Sequence, residues 1–264
     1  MSAHRPRKRF GQHFLVDERV IEHLVRLIAP RQDETLVEIG PGQGVLTRAL
    51  LDEVEHLHVV ELDRDLITEL ERTISARRLT IHSADALRFD FRTLAGGGAR
   101  LRVVGNLPYN ISTPLLFHLL GQANVIADMH FMLQHEVVQR LVAGPGDPHR
   151  GRLSVMVQYH CRVDFLMEVP PKAFHPPPKV NSAVARLVPH GELPCPARDP
   201  DMLATLVNRA FSQRRKTLRN ALKSALEPAQ IEAAGVSPTA RAEQLTLANF
   251  VALANMASHS EEVR

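Results

Sequence analysis

Short, nearly continuous apolar runs recur near 35–39, 57–61, 79–82, 102–105 and 125–134, and stretches with apolar residues at helical spacing fill 45–53, 64–77 and 113–120. Unbroken apolarity over a few residues marks strands buried on both faces, and its alternation with helices predicts a mostly parallel sheet covered on two sides. Ahead of the first run, Asp17 opens a helix with Val20, Ile21, Leu24, Leu27 and Ile28 on one face, and Pro30 ends it. Gly144 to Pro148 is a loop, after which Leu153–Tyr159 and Val163–Val169 read as strands and Val180–Val188 as a last one. Past Pro189 the strand pattern vanishes. Helical patterns run from Pro200, broken at Pro228, Gly235 and Pro238, with Leu206, Ala210, Leu218, Leu222 and Leu226 facing inward. Arg209, Lys216 and Lys223, seven apart, are then expected on one outer face. The expected organisation is a basic arm over 1–16, an α/β body over 17–189 and a small all-helical domain over 190–264.

Sheets of this kind bind ligands beyond the carboxyl ends of their strands, so the residues that follow each apolar run carry the functional information. Leu36 to Ile39 runs into Gly40-Pro41-Gly42-Gln43-Gly44. Glycines in a strand-to-helix turn permit positive φ and close approach of a ligand. Val45 stands where a dinucleotide fingerprint needs its third glycine. The spacing of Gly40, Gly42 and Gly44 is that of S-adenosylmethionine enzymes, whose cofactor has no pyrophosphate. Glu61 ends the second run, where a carboxylate accepts from ribose hydroxyls, and Asp85 follows the third, where an acid meets an adenine amine.

Asn106-Leu107-Pro108-Tyr109 follows the fourth run. It reads as an Asn-x-Pro turn or as a site for chemistry on the exocyclic amine of a base. Such an amine is a poor nucleophile, because its lone pair is delocalised into the ring. The Asn106 oxygen and a neighbouring carbonyl can accept its two N–H bonds and draw the nitrogen towards tetrahedral geometry. Pro108 stiffens the loop, and Tyr109 offers a stacking face. Phe174 lies among Pro170, Pro171, Pro176, Pro177 and Pro178, and is either a hydrophobic plug or a ring held in a fixed pose.

Charge sharpens this picture. Arg5, Arg7, Lys8 and Arg9 occupy an acid-free N-terminal run, and Arg209, Arg214, Arg215, Lys216, Arg219 and Lys223 an acid-free run over 202–226. These ten positive charges exceed the formal net charge of +3, so the rest of the chain is net acidic. Two basic segments on an acidic body form a polyanion footprint, and beside a base-handling loop they favour RNA. Cys161 and Cys195 are too few for a disulfide framework, and the fourteen histidines show no metalloprotease pattern, so no metal is expected. The absence of an apolar leader or bilayer-length run predicts a soluble cytoplasmic protein.

Six collinear segments carry a resemblance: Lys8 to Leu15, Glu38 to Gly44, Val60 to Asp63, Asn106 to Ser112, Phe174 to Val180, and Phe211 to Lys216. Through them the chain resembles the ribosomal small-subunit (16S) RNA adenine N6-dimethyltransferases. The resemblance implies a Rossmann-like S-adenosylmethionine-dependent methyltransferase sheet followed by a small C-terminal helical domain. It implies cofactor contacts from His13, Leu15, Gly40, Glu61, Asp85 and Asn106, His13 standing where many relatives carry Asn. It makes Asn106, Leu107, Pro108 and Tyr109 the catalytic loop, with Phe174 opposite Tyr109 across the target adenine. Arg7, Lys8, Arg9, Arg214, Arg215, Lys216, Arg219 and Lys223 are then the expected RNA contacts. The implied reaction places two methyl groups on N6 of each of two adjacent adenosines near the 3′ end of 16S rRNA. It implies a role in 30S biogenesis for a protein expected to be monomeric, without DNA or membrane partners. A nucleotide-cofactor oxidoreductase and a non-catalytic 30S assembly factor are the rival readings.

Overall fold

The computed structural model describes residues 13–96, 100–213 and 215–262 and divides into two compact units. The first comprises residues up to Val138 together with Val163–Pro189, and the second Gln139–Arg162 with His190 onward.

In the first unit, β1 (Phe14–Leu15) leads into α1 (Glu18–Ile28). The Asp17 carboxylate accepts from the Arg19 and Val20 N–H groups, capping that helix. β2 (Thr35–Ile39), α2 (Val45–Leu51), β3 (Leu57–Glu61), α3 (Arg64–Thr73), β4 (Leu79–Ser83), β5 (Leu101–Asn106), α4 (Ser112–Leu120) and β6 (Ile126–Gln134) follow, close to the expected runs. α5 (His135–Val142) leaves the sheet, α6 (Arg152–His160) belongs to the second unit, and β7 (Cys161–Val169), β8 (Phe174–His175) and β9 (Ser182–Pro189) complete this stretch. The seven-stranded sheet has the order β4-β3-β2-β5-β6-β9-β7. Its first five strands are parallel, and β9 runs antiparallel to β6. β1 pairs separately with β8, Leu15 opposite Phe174. Leu36, Val37, Val59, Val103, Val104 and Phe131 are wholly buried, as unbroken apolar strands require.

Gly105 shows how tightly β2 and β5 meet. A Cβ there would lie 2.5 Å from the Ile39 carbonyl oxygen, so only glycine admits this approach of the two strand ends. The chain segments following Ile39 and Asn106 are thereby held side by side.

The second unit also contains α7 (Pro200–Phe211), α8 (Leu218–Ala221), α9 (Pro228–Ala233) and α10 (Leu247–Glu262). Leu206, Ala210, Leu218, Leu222 and Leu226 are buried in it, as their spacing indicated. Two expectations are corrected. Leu153–Tyr159, read as a strand, lies in α6; Leu153, Val155, Met156, Val157 and Tyr159 are all buried, and a helix buried on several sides has no polar face to reveal its period. Arg209, Lys216 and Lys223 are exposed but do not share one helix, because α7 stops at Phe211 and Lys216 lies in a turn before α8. The boundary expected at 190 is also preceded by an excursion. Arg150, almost fully buried, donates to the Ala143 and Leu245 carbonyls and to Gln158 Oε1, and the Gly146 N–H donates to the Glu243 carbonyl. These bonds bind residues 139–162 to the C-terminal part of the chain.

Candidate active site

A cavity of about 230 Å³ opens at the carboxyl ends of β2, β3, β4 and β5 in the first unit. Its floor is the turn after β2. Gly40 has φ +68°, conformational space that side chains disfavour, and its absent Cβ would meet nothing within 4 Å. The turn therefore presents bare backbone, and its N–H at Gly40 is tied to the Val60 carbonyl at 3.0 Å.

Glu61 stands at the next strand end. Its Oε1 accepts from the Leu62 and Asp63 N–H groups, each at 2.8 Å, which fixes the carboxylate at the cavity. Burial raises the Glu61 pKa, while those backbone donors and Gly42 pull it back. Asp85 lines the cavity beyond β4 with Oδ1 accepting from the Leu87 N–H at 3.0 Å. Leu62 is half exposed at the cavity wall, a flat apolar contact for a ring.

The opposite wall is the Asn106–Tyr109 loop. Asn106 Nδ2 donates to the His13 carbonyl at 3.0 Å, so its Oδ1 is turned away as a free acceptor. His13 is itself tied down, its Nδ1–H donating to the Pro176 carbonyl at 2.8 Å. The Leu107 N–H donates to Met132 O at 3.1 Å, and the Pro108 carbonyl accepts from the Ile111 N–H. The Tyr109 hydroxyl and Ser182 Oγ lie 2.7 Å apart, and the His13 ring stacks on Tyr109 at 5.6 Å and 29°. Burial raises the Tyr109 pKa, so the phenol is neutral at physiological pH.

His13, Leu15, Gly40, Glu61, Asp85 and Asn106 all line this one cavity, as do Leu107, Pro108 and Tyr109. Phe174 does not line it. Its ring is 3% exposed within the hydrophobic core beside Leu15, Ala173 and Val184, because pairing of β8 with β1 turns it inward. The plug reading of Phe174 fits the structure, and the ring opposite Tyr109 does not. Of the expected RNA contacts, Arg215, Lys216, Arg219 and Lys223 are exposed in the second unit, whereas Arg7, Lys8, Arg9 and Arg214 lie outside the described residues. Among the described residues no cluster of three or more His, Cys, Asp or Glu side chains could hold a metal ion, and no helix is long and apolar enough to cross a membrane.

Glu38 was not singled out from the sequence as a site residue. It sits inside β2, 2% exposed at the cavity, with the Thr47 hydroxyl donating to its Oε2 at 2.7 Å. Burial, reinforced by the Glu61 charge and opposed by Thr47, pushes its pKa up to about 7. An acid within an otherwise apolar strand was the available signal.

The bare glycine turn, the anchored acid and the second acid suit a nucleoside with an adenine base, and the Asn106 oxygen suits an amine. The family model described as ribosomal RNA adenine dimethylase matches residues 3–259. The chain belongs to that family. Bacterial relatives are similar along the whole of this adenine dimethylase family member. The "Ribosomal RNA small subunit methyltransferase A" of Alcanivorax borkumensis is 57% identical over 263 residues, covering 100% of this chain and 94% of that protein. The protein of the same name from Pseudomonas aeruginosa is 60% identical over 253 residues, covering 96% and 94%. Among solved structures, a dimethyladenosine transferase from Plasmodium falciparum superposes with a TM-score of 0.74 at 22% identity, covering 91% of this chain and 96% of that one. The 23S rRNA methyltransferase ErmE gives 0.72 at 24% identity, covering 93% and 99%. Those two likenesses establish the methyltransferase fold.

Proposed function

We propose that the chain transfers methyl groups from S-adenosylmethionine to N6 of two adjacent adenosines near the 3′ end of 16S rRNA in the 30S subunit, giving N6,N6-dimethyladenosines. The observation that carries this reading is the Asn106 amide, whose Nδ2 is committed to the His13 carbonyl so that Oδ1 accepts from the incoming amine. S-adenosylmethionine, when bound, supplies an electrophilic methyl group on a sulfonium.

The residues present fit that group. Glu61 Oε2 accepts from the ribose hydroxyls, Asp85 accepts from the adenine amine, and Leu62 packs against the base. Gly40 lets the backbone come close, and Leu15 and His13 flank the cavity. Asn106 Oδ1 holds one N6–H, and the loop backbone takes the other. The nitrogen lone pair would then be drawn out of conjugation with the adenine ring and be available to the methyl group the cofactor would supply. Tyr109 receives the base on the face that His13 leaves uncovered, with Pro108 and Leu107 holding the loop. No strong base is needed beforehand, since N6 becomes acidic only as the new bond forms. Positioning accounts for most of the acceleration. The adenine must be unpaired or extruded to reach the loop.

Arg215, Lys216, Arg219 and Lys223, with Arg7, Lys8, Arg9 and Arg214, supply phosphate contacts on this reading. The protein acts as a cytoplasmic monomer whose partner is the 30S particle. The test is incubation with labelled S-adenosylmethionine and unmethylated 30S particles, followed by nucleoside analysis. Label in dimethyladenosine at two neighbouring positions, with N6-methyladenosine as its precursor, is expected, and label in any other nucleoside would overturn the assignment.

A further inference from the structure

Phe165 is the one aromatic among the exposed large apolar side chains of the described residues, with 44% of its surface open on the edge strand β7. It is joined to the catalytic loop by a short series of contacts. The Tyr109 hydroxyl meets Ser182 Oγ, and Ser182 stands opposite Gln134 in the β6–β9 ladder. The adjoining residues continue this path, for the His135 N–H donates to the Asn181 carbonyl at 2.9 Å. The His135 ring then meets Phe165 edge to face, at 6.1 Å and 82°. Asn181 is braced from β7 as well, its Nδ2 donating to Glu168 Oε1. Val180, next to Asn181, is 46% exposed. All these residues belong to the first unit.

Scattered exposed apolar side chains are ordinary, but Phe165 is linked through His135, Asn181 and Ser182 to Tyr109 of the loop proposed to receive the target base. An exposed ring braced on one side by a second ring is a platform for a flat, unpaired base, since every base has a π-face to stack. We infer that Phe165, backed by His135, stacks the nucleobase adjacent to the target adenine while the target occupies the Asn106–Tyr109 loop. The inference rests on the RNA reading above and deepens it. When one of two adjacent adenosines is in the cavity, the other lies on this shelf, so the two exchange places between rounds of transfer.

The experiment compares the full-length protein with Phe165→Ala, Phe165→Leu and Phe165→Trp on unmethylated 30S particles, recording KM, kcat, S-adenosylmethionine affinity and the methyl distribution over the two adenosines. Phe165→Ala is expected to raise KM on the order of tenfold and to skew the distribution, while cofactor affinity stays at the wild-type level. Phe165→Trp should restore both and Phe165→Leu neither, because stacking needs a π-face and not merely apolar area. The log–log salt slope should not change, since the substitution removes no positive charge. Should Phe165→Ala fail to fold, the contrast between Trp and Leu carries the test. Full restoration by Leu would mean an apolar protein surface docks here and would overturn the inference. Wild-type behaviour of both Ala and Leu would overturn it while leaving the proposed function intact. Absence of methyl transfer by the wild-type protein would bring down both.

Discussion

Replacing Glu61 by Gln isolates the contribution of one carboxylate to cofactor binding. Oε1 is committed to the Leu62 and Asp63 N–H groups, and on the proposed reading Oε2 accepts from the ribose. Glutamine keeps an oxygen for those two donors, so the turn after β3 retains its shape. It places an NH₂ where ribose hydroxyls need an acceptor. Hydrogen bonds to charged groups contribute about 1.5–3 kcal/mol. Losing the charged acceptor should therefore cost about 2–3 kcal/mol, a fall in S-adenosylmethionine affinity of roughly 30- to 150-fold. Glu61→Ala should cost more, because the buried Asp63 N–H also loses its partner. Titration calorimetry measures both variants, with RNA affinity as the control. Because burial raises the Glu61 pKa, wild-type cofactor affinity should begin to fall, as pH drops, at a higher pH than an ordinary carboxylate would give, and that limb should be absent from the Gln variant. Cofactor affinity of Glu61→Gln within twofold of wild type would refute the assignment of Glu61 to the ribose.

Asn106→Ala is expected to reduce kcat by at least about 100-fold with little change in cofactor or 30S affinity, measured by single-turnover methylation. Glu38, pushed by burial up to about 7, favours the fold while protonated and loses that contribution as pH rises from the ordinary carboxylate range through 7, so unfolding of the ligand-free protein should show Glu38→Gln stabilised at pH 8 by roughly 3 kcal/mol at most and unchanged near pH 4. Replacing Arg215, Lys216 and Lys223 together by Ala should weaken 30S association and lower its log–log salt slope by a little under one unit for each phosphate no longer neutralised, with cofactor binding unaltered. Ser182→Ala removes the partner of the Tyr109 hydroxyl and should reduce kcat/KM several-fold, in keeping with a hydrogen bond of about 1 kcal/mol, while leaving calorimetric cofactor affinity as it was.

The parallel sheet and its ligand edge were legible because each buried strand stands out as an apolar run and each is followed by a chemically distinctive residue: Gly40, Glu61, Asp85, Asn106. Spacing along the chain cannot show what occupies the space between elements. α6 was illegible as a helix because its sequence, Leu153 through Tyr159, is apolar on almost every side and rich in valine. Phe174 was legible as an important ring but not as an inward-facing one, since its direction is set by pairing with Leu15, far earlier in the chain. Ser182 and Phe165 carried no signal at all. Their relation to Tyr109 exists only once β9 lies against β6 and α5 turns away at His135.

The hydrogen bond from Asn106 to the His13 carbonyl makes the Asn106 side chain answerable to a peptide group 93 residues earlier in the chain. A backbone carbonyl cannot be deleted by changing a side chain, so alanine scanning of this segment would leave the interaction untouched and understate its weight. Proteolytic clipping that removes His13 would act otherwise. The amide would become free to rotate and could offer its NH₂ to an amine that needs an acceptor. Such a clipped protein would keep its sheet while losing turnover together with the His13 side of the cavity, and checks of folding alone would pass it as sound.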